Sequence, residues 1–100
     1  MERAVPLCIT LDLNPIGSLD ELHGLLQRAF SFPAHYGRNW DALWDCLSEL
    51  PDQPMQIDLV GWLDAHRRLG WRMNIFLQLM TDFRASRAGK VRINICRQDA

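Results

Sequence analysis

The spacing of apolar positions changes along the chain, and each change marks an element. Val5-Pro6-Leu7-Cys8-Ile9-Thr10-Leu11 is an apolar run too short for a helix and reads as a buried strand. Asn14-Pro15-Ile16-Gly17 is a turn, and Ser18 follows with Glu21 three residues on, the pattern of a capping box. Leu19, Leu22, Leu25, Leu26 and Ala29 recur at helical spacing and predict an amphipathic helix over 19–30. Pro33 ends it, because the residue before a proline avoids the helical region. Residues 33–38 form a loop containing Gly37, and Asn39 can cap a second helix, 40–49, carried by Trp40, Leu43, Trp44 and Leu47. Pro51 and Pro54 bracket a turn before Met55-Gln56-Ile57-Asp58-Leu59, which alternates as a strand does. A short helix from Trp62 to Leu69 is closed by Gly70. A long amphipathic helix over 71–87, built on Ile75, Phe76, Leu79, Met80 and Phe83, runs to Gly89, and Val91-Arg92-Ile93-Asn94-Ile95 is a last alternating strand.

The order strand, helix, helix, strand, helix, helix, strand places helices between successive strands. Such strands need crossover connections, so the expected fold is α/β: a three-stranded parallel sheet covered by about four helices. The first strand is expected in the centre. One hundred residues make a single domain, 1–100, with room for one modest core.

Composition narrows the class. With 48% apolar residues the chain folds rather than staying disordered. No charged start leads into an apolar run, and no stretch approaches the ~18 apolar residues of a membrane span, so a cytoplasmic protein without a signal peptide is expected. Cys8, Cys46 and Cys96 are odd in number and lack a C-x-x-C, which reads as reduced, buried thiols. No glycine-rich phosphate loop and no His/Cys/carboxylate set at metal-ligand spacing is present, so neither a catalytic residue, a metal nor a cofactor is expected. His23, between Leu22 and Leu25, reads as helix surface or a satisfied core edge, and His66, beside Arg67 and Arg68, as part of a solvated helix face.

Charge is unevenly spread. Residues 1–32 sum to -2, residues 33–58 to -4 and residues 59–100 to +5, matching the net charge of -1. The basic third could make an RNA-binding module of Arg67, Arg68, Arg72, Arg84, Arg87, Lys90 and Arg92, but arginines scattered on amphipathic helices read as solvated faces. The acidic middle is more pointed. Asp41 and Asp45 are four apart, so both carboxylates leave one helix face, with Ser48 and Glu49 flanking it. Two like charges at that spacing cost roughly 0.2–0.5 kcal/mol in an isolated helix, and a partner's cations would remove the penalty. A solvated acidic face, or an acid placed for the helix dipole, explains Asp41 as well. His35 and Tyr36 on the loop and Trp44 beside Asp45 put aromatic groups next to the acids, a combination suited to a basic binding site.

The stretch from Pro33 to Leu47 carries the pattern P-x-x-Y-G-x-N-x-D-A-L-W-D-C-L and closely resembles the barstar family, intracellular inhibitors of the ribonuclease barnase. The likeness extends to Ser18-Leu19-Asp20-Glu21-Leu22-His23, to Phe83-Arg84 with Ala88-Gly89, and to the order of elements. It implies a barstar-like fold and a bacterial antitoxin or immunity protein. It implies a monomer that plugs the active site of a barnase-like or other basic ribonuclease one-to-one, without binding nucleic acid or membrane itself. By resemblance Asp45 is the central carboxylate standing in for a substrate phosphate and Asp41 a flanking charge, while Tyr36, Gly37, Asn39 and Trp44 complete the contact. His35 stands where the type member has a second tyrosine, Leu50 about where it has another interface tryptophan, and Ala85 where its last helix has an acid. These departures point to a different nuclease surface. An interaction module binding another basic protein without inhibition is the alternative, because fold does not fix function.

Overall fold

The computed structural model describes residues 6–96, which form β1 (Leu7–Asp12), α1 (Leu19–Phe30), α2 (Trp40–Ser48), β2 (Met55–Val60), α3 (Trp62–Leu69), α4 (Arg72–Ala85) and β3 (Val91–Cys96). Val5, assigned from sequence to the opening strand, lies outside the described residues. The last helix is shorter at both ends than its apolar period suggests, and Ser86 closes it by donating its hydroxyl to the Phe83 carbonyl.

All three strands are parallel, and β2, not β1, is central. Each crossover therefore returns to the neighbouring position, the commonest arrangement for consecutive strands. Burial along the strands fits this order. Met55, Ile57 and Leu59 of β2 are buried and its other side chains half-buried, whereas Leu7 of β1 and Ile95 of β3 are exposed at the edges.

The register stacks Leu7, Met55 and Val91, then Ile9, Ile57 and Ile93, then Leu11, Leu59 and Ile95 on one face. The core fills that face, with Leu22 and Leu26 of α1, Leu43 and Leu47 of α2, and Met73, Phe76, Met80 and Phe83 of α4 all fully buried. The opposite rows, Cys8-Gln56-Arg92 and Thr10-Asp58-Asn94, are exposed or half-buried. Asp58 there accepts from Asn94 Nδ2 (2.9 Å) and Gln56 Nε2 (3.3 Å). A parallel sheet is usually covered on both sides; here the helices cover one. The expectation of buried thiols is corrected: all three cysteines are free, but Cys8 and Cys96, on the open side of the sheet, are exposed and half-buried respectively, and Cys46, on α2, is half-buried. An even-numbered residue of β1 points away from the core because side chains alternate.

Two arginines expected on solvated faces instead hold the fold together. Arg68 of α3 donates to the carbonyls of Leu13 (2.8 Å), Asn14 (2.9 Å) and Ile16 (3.0 Å), tying down the loop after β1. Arg87 lies over the Phe83 ring and donates to Leu47 (2.9 Å), Ser48 (3.2 Å) and Pro51 (3.2 Å), tying the residue after α4 to carbonyls at and beyond the end of α2. His66 is likewise not simply solvated, since its Nε2 meets Asn74 Oδ1 at 2.9 Å and links α3 to α4.

Candidate functional site

The acidic segment starts from a firmly built helix end. The Asn39 side chain accepts the Ala42 backbone N–H at 2.7 Å, satisfying one of the free donors of α2's first turn. Asp41 in that turn also faces the positive end of the helix dipole. Leu43 and Leu47 point into the core, so the helical period leaves Asp41, Asp45, Ser48 and Glu49 exposed. Among the described residues neither Asp41 nor Asp45 is paired with a cation; the ion pairs present are Asp20–Arg38, Asp64–Arg67, Asp52–Arg87 and Asp52–Lys90. Arg38, the only base of the acidic middle, is turned back toward α1, with Nη1 at 3.0 Å from Asp20 Oδ1.

The loop before α2 is fastened to α1 at several points. Gln27 donates to the Pro33 carbonyl (2.9 Å), Arg38 grips Asp20, and the Tyr36 hydroxyl meets His23 Nδ1 at 2.6 Å. Phe32 stacks on Phe30 and tilts against Tyr36, and Trp40 packs on His23 with ring centroids 5.0 Å apart. Arg38 holds a positive φ of 53°, an unusual backbone state for a non-glycine residue, fixed here by its side-chain bonds. A methyl group on Gly37 would lie 3.3 Å from Asn39 Nδ2 and 3.5 Å from the Ala42 Cβ, so glycine keeps the loop close to the helix cap.

His23 is a satisfied core histidine. Burial pushes its pKa below the ordinary value; Asp20 raises it and Arg38 lowers it, both more weakly. Burial also pushes the Tyr36 phenol up to about 12, with Cys46 adding to the rise and Arg38 opposing it. The phenol is thus neutral, and it shares one hydrogen bond with the imidazole Nδ1 whose direction follows the histidine tautomer. Burial raises the Cys46 thiol too, followed by the charges of Glu49 and Asp45.

The expected contact residues do not all lie on one surface. His35, Gly37, Asn39, Asp41 and Asp45 are exposed and Trp44 is half-buried, but Tyr36 is only 6% exposed and braces the loop from within. Leu50 is half-buried and Ala85 exposed. Sequence reading missed the bracing by Gln27, Asp20 and His23, which sit on another helix. Asp82, an exposed acid one turn before Ala85 on α4, accepts from Gln78 Nε2 at 3.0 Å. Among the described residues no group of His, Cys, Asp and Glu is placed to hold a metal, and no helix is long and apolar enough to cross a membrane.

A clamped loop running into a capped helix with two uncompensated carboxylates can present fixed negative charge to a basic cleft without reorganising. A relative in Bacillus subtilis (strain 168), named "Putative ribonuclease inhibitor YrdF", is 37% identical over 62 residues, which are 62% of this chain and 68% of the relative. The sequence profile of the family described as Barstar (barnase inhibitor) matches residues 7–96, from the first residue of β1 to the last of β3, and the chain therefore belongs to the barstar family.

Proposed function

We propose that this chain inhibits a ribonuclease by inserting the acidic face of α2 and the loop before it into the enzyme's active site. A ribonuclease must gather cations around the RNA phosphate it cleaves. Asp45, near the middle of the exposed face, takes the place of that phosphate and accepts charge-assisted hydrogen bonds from those cations. Asp41 adds a flanking charge. Trp44 supplies apolar area, and the exposed His35, Gly37 and Asn39 fit the rim. Tyr36 acts through the loop that it anchors. The partner is a basic, barnase-like ribonuclease bound one-to-one, and the chain is an inhibitor, not an enzyme. The cytoplasm of a bacterium that makes such a nuclease is where this protection is needed.

The observation that carries this reading is the pair Asp41 and Asp45: both exposed, on one face, with no cation of the described chain spent on either. Inhibition of RNA cleavage by barnase tests it directly. Wild type slows cleavage at stoichiometric concentration. Asp45→Ala strands the enzyme's desolvated cations, a loss of about 3–5 kcal/mol, or roughly 10²–10⁴-fold in affinity. Equal inhibition by both proteins would remove Asp45 from its role, and inhibition by neither would remove barnase-type enzymes as partners.

A further inference from the structure

Beside the two acids runs a groove whose far wall, on α4, has no part in the proposed electrostatic role. Trp40, Asp41, Trp44 and Asp45 of α2 line one wall, Ile75 and Leu79 of α4 the other, around an open volume of about 600 Å³. Both tryptophans, Ile75 and Leu79 are only half-buried, although the tryptophans and Leu79 pack against the core. The two helices run in the same sense, since Arg87 just past the end of α4 reaches the last carbonyls of α2. Asp82 follows Leu79 by three residues on the exposed side and so prolongs the stripe of Ile75 and Leu79 with a further acid.

An apolar trough with carboxylates along its edge has a definite complement. Water in it contacts indole and aliphatic surface, which is worth about 25 cal/mol for each Å² covered. The acids reject an anionic visitor and favour a cation at the rim. Tryptophan is also the side chain that most often anchors protein interfaces. We infer that this groove is a specificity subsite for the partner protein, receiving an aromatic or branched apolar side chain that neighbours an arginine or lysine. The inference rests on the proposed inhibitor role for the partner's identity, but the chemistry of the occupant follows from the groove alone. Ile75 and Leu79 then select among basic nucleases, while Asp45 supplies the attraction common to them.

The test separates the two ideas. The isotopically labelled chain is titrated with Nα-acetyl-arginyl-phenylalaninamide, and NMR shifts are followed at the Trp40 and Trp44 indole N–H groups and the Ile75 and Leu79 methyls. Two control peptides replace the arginine by aspartate or the phenylalanine by glycine. Shifts at these groups saturating at about 1–10 mM peptide, weakened several-fold by either control and by Leu79→Ser, are the expected result. No localised shift, or an equal response to the aspartyl control, overturns the subsite. In parallel, Leu79→Ser is expected to weaken inhibition of barnase about tenfold; unchanged inhibition overturns the groove while leaving the role of Asp45 standing. Peptide binding without inhibition of barnase by wild type supports the groove and removes barnase-type enzymes as its partner.

Discussion

The Tyr36 hydroxyl lies 2.6 Å from Nδ1 of His23, a contact between a loop residue and a buried position on α1 that are 13 residues apart in the chain. It joins the segment that carries the candidate contact surface to the core. Removing the hydroxyl leaves an imidazole nitrogen with no partner inside the protein. Tyr36→Phe should therefore lower stability by about 1–3 kcal/mol, read from urea unfolding. Inhibition should weaken less than in Asp45→Ala, because the charge presented is unchanged. A loss of inhibition as large as that of Asp45→Ala would put the phenol at the contact itself.

The same pair predicts a pH dependence. Burial holds His23 below its ordinary pKa of 6.5 in the folded chain, while the unfolded chain titrates near that value. Below pH 6.5 the unfolded state binds a proton that the folded state refuses, so stability falls as pH falls. The contribution is complete above 6.5 and is lost progressively down to the depressed folded value. Chemical denaturation between pH 7.5 and 5 should show this slope, and His23→Gln should flatten it. An unaltered slope in the variant would assign it to other groups.

Charge on α2 should act on association with a basic nuclease. The Debye length is about 8 Å at physiological ionic strength, so added salt screens the approach of exposed Asp41 and Asp45. Stopped-flow association with barnase should slow as salt rises. Asp41→Asn should reduce that dependence, while Asp45→Asn should mainly speed dissociation. Salt-independent association would argue against steering by these acids.

Arg87 makes a stability prediction away from the face. Its side chain is only 11% exposed and donates to three carbonyls at and beyond the end of α2. Arg87→Met keeps much of the stem over Phe83 and removes the donors. A loss of about 1.5–3 kcal/mol is expected, the scale of hydrogen bonds to charged groups. A change under roughly 0.5 kcal/mol, the range of ordinary surface substitutions, would mean water replaces the guanidinium freely.

Gly61 and Gly89 share a positive φ, 76° and 81°, but only Gly61 has a neighbour where a methyl group would go, the Asn14 carboxamide. Both alanine variants pay about 1 kcal/mol for the left-handed backbone. Gly61→Ala should lose clearly more in thermal unfolding, since Asn14 must also move. Equal losses would show that the carboxamide swings aside without penalty.

Much of this architecture is written locally. The period of apolar residues located every helix and strand, because a helix with one buried face and a strand with alternating faces each leave their own spacing. Ser18 and Asn39 announced the starts of α1 and α2 by their side-chain chemistry, and both accept the expected backbone N–H groups. Asp41 and Asp45 could be assigned to one helix face from their separation alone. Strand order, the bare side of the sheet, and the tasks of Arg68 and Arg87 were not legible in this way. Each depends on residues dozens of positions apart meeting, as when Arg68 reaches Leu13, and periodicity reports which face is buried but not against what. Sequence put acids, aromatics and a glycine loop side by side; only the packing of α1 under the loop, and of α4 beside α2, decided that Tyr36 faces inward and that two tryptophans edge an open groove.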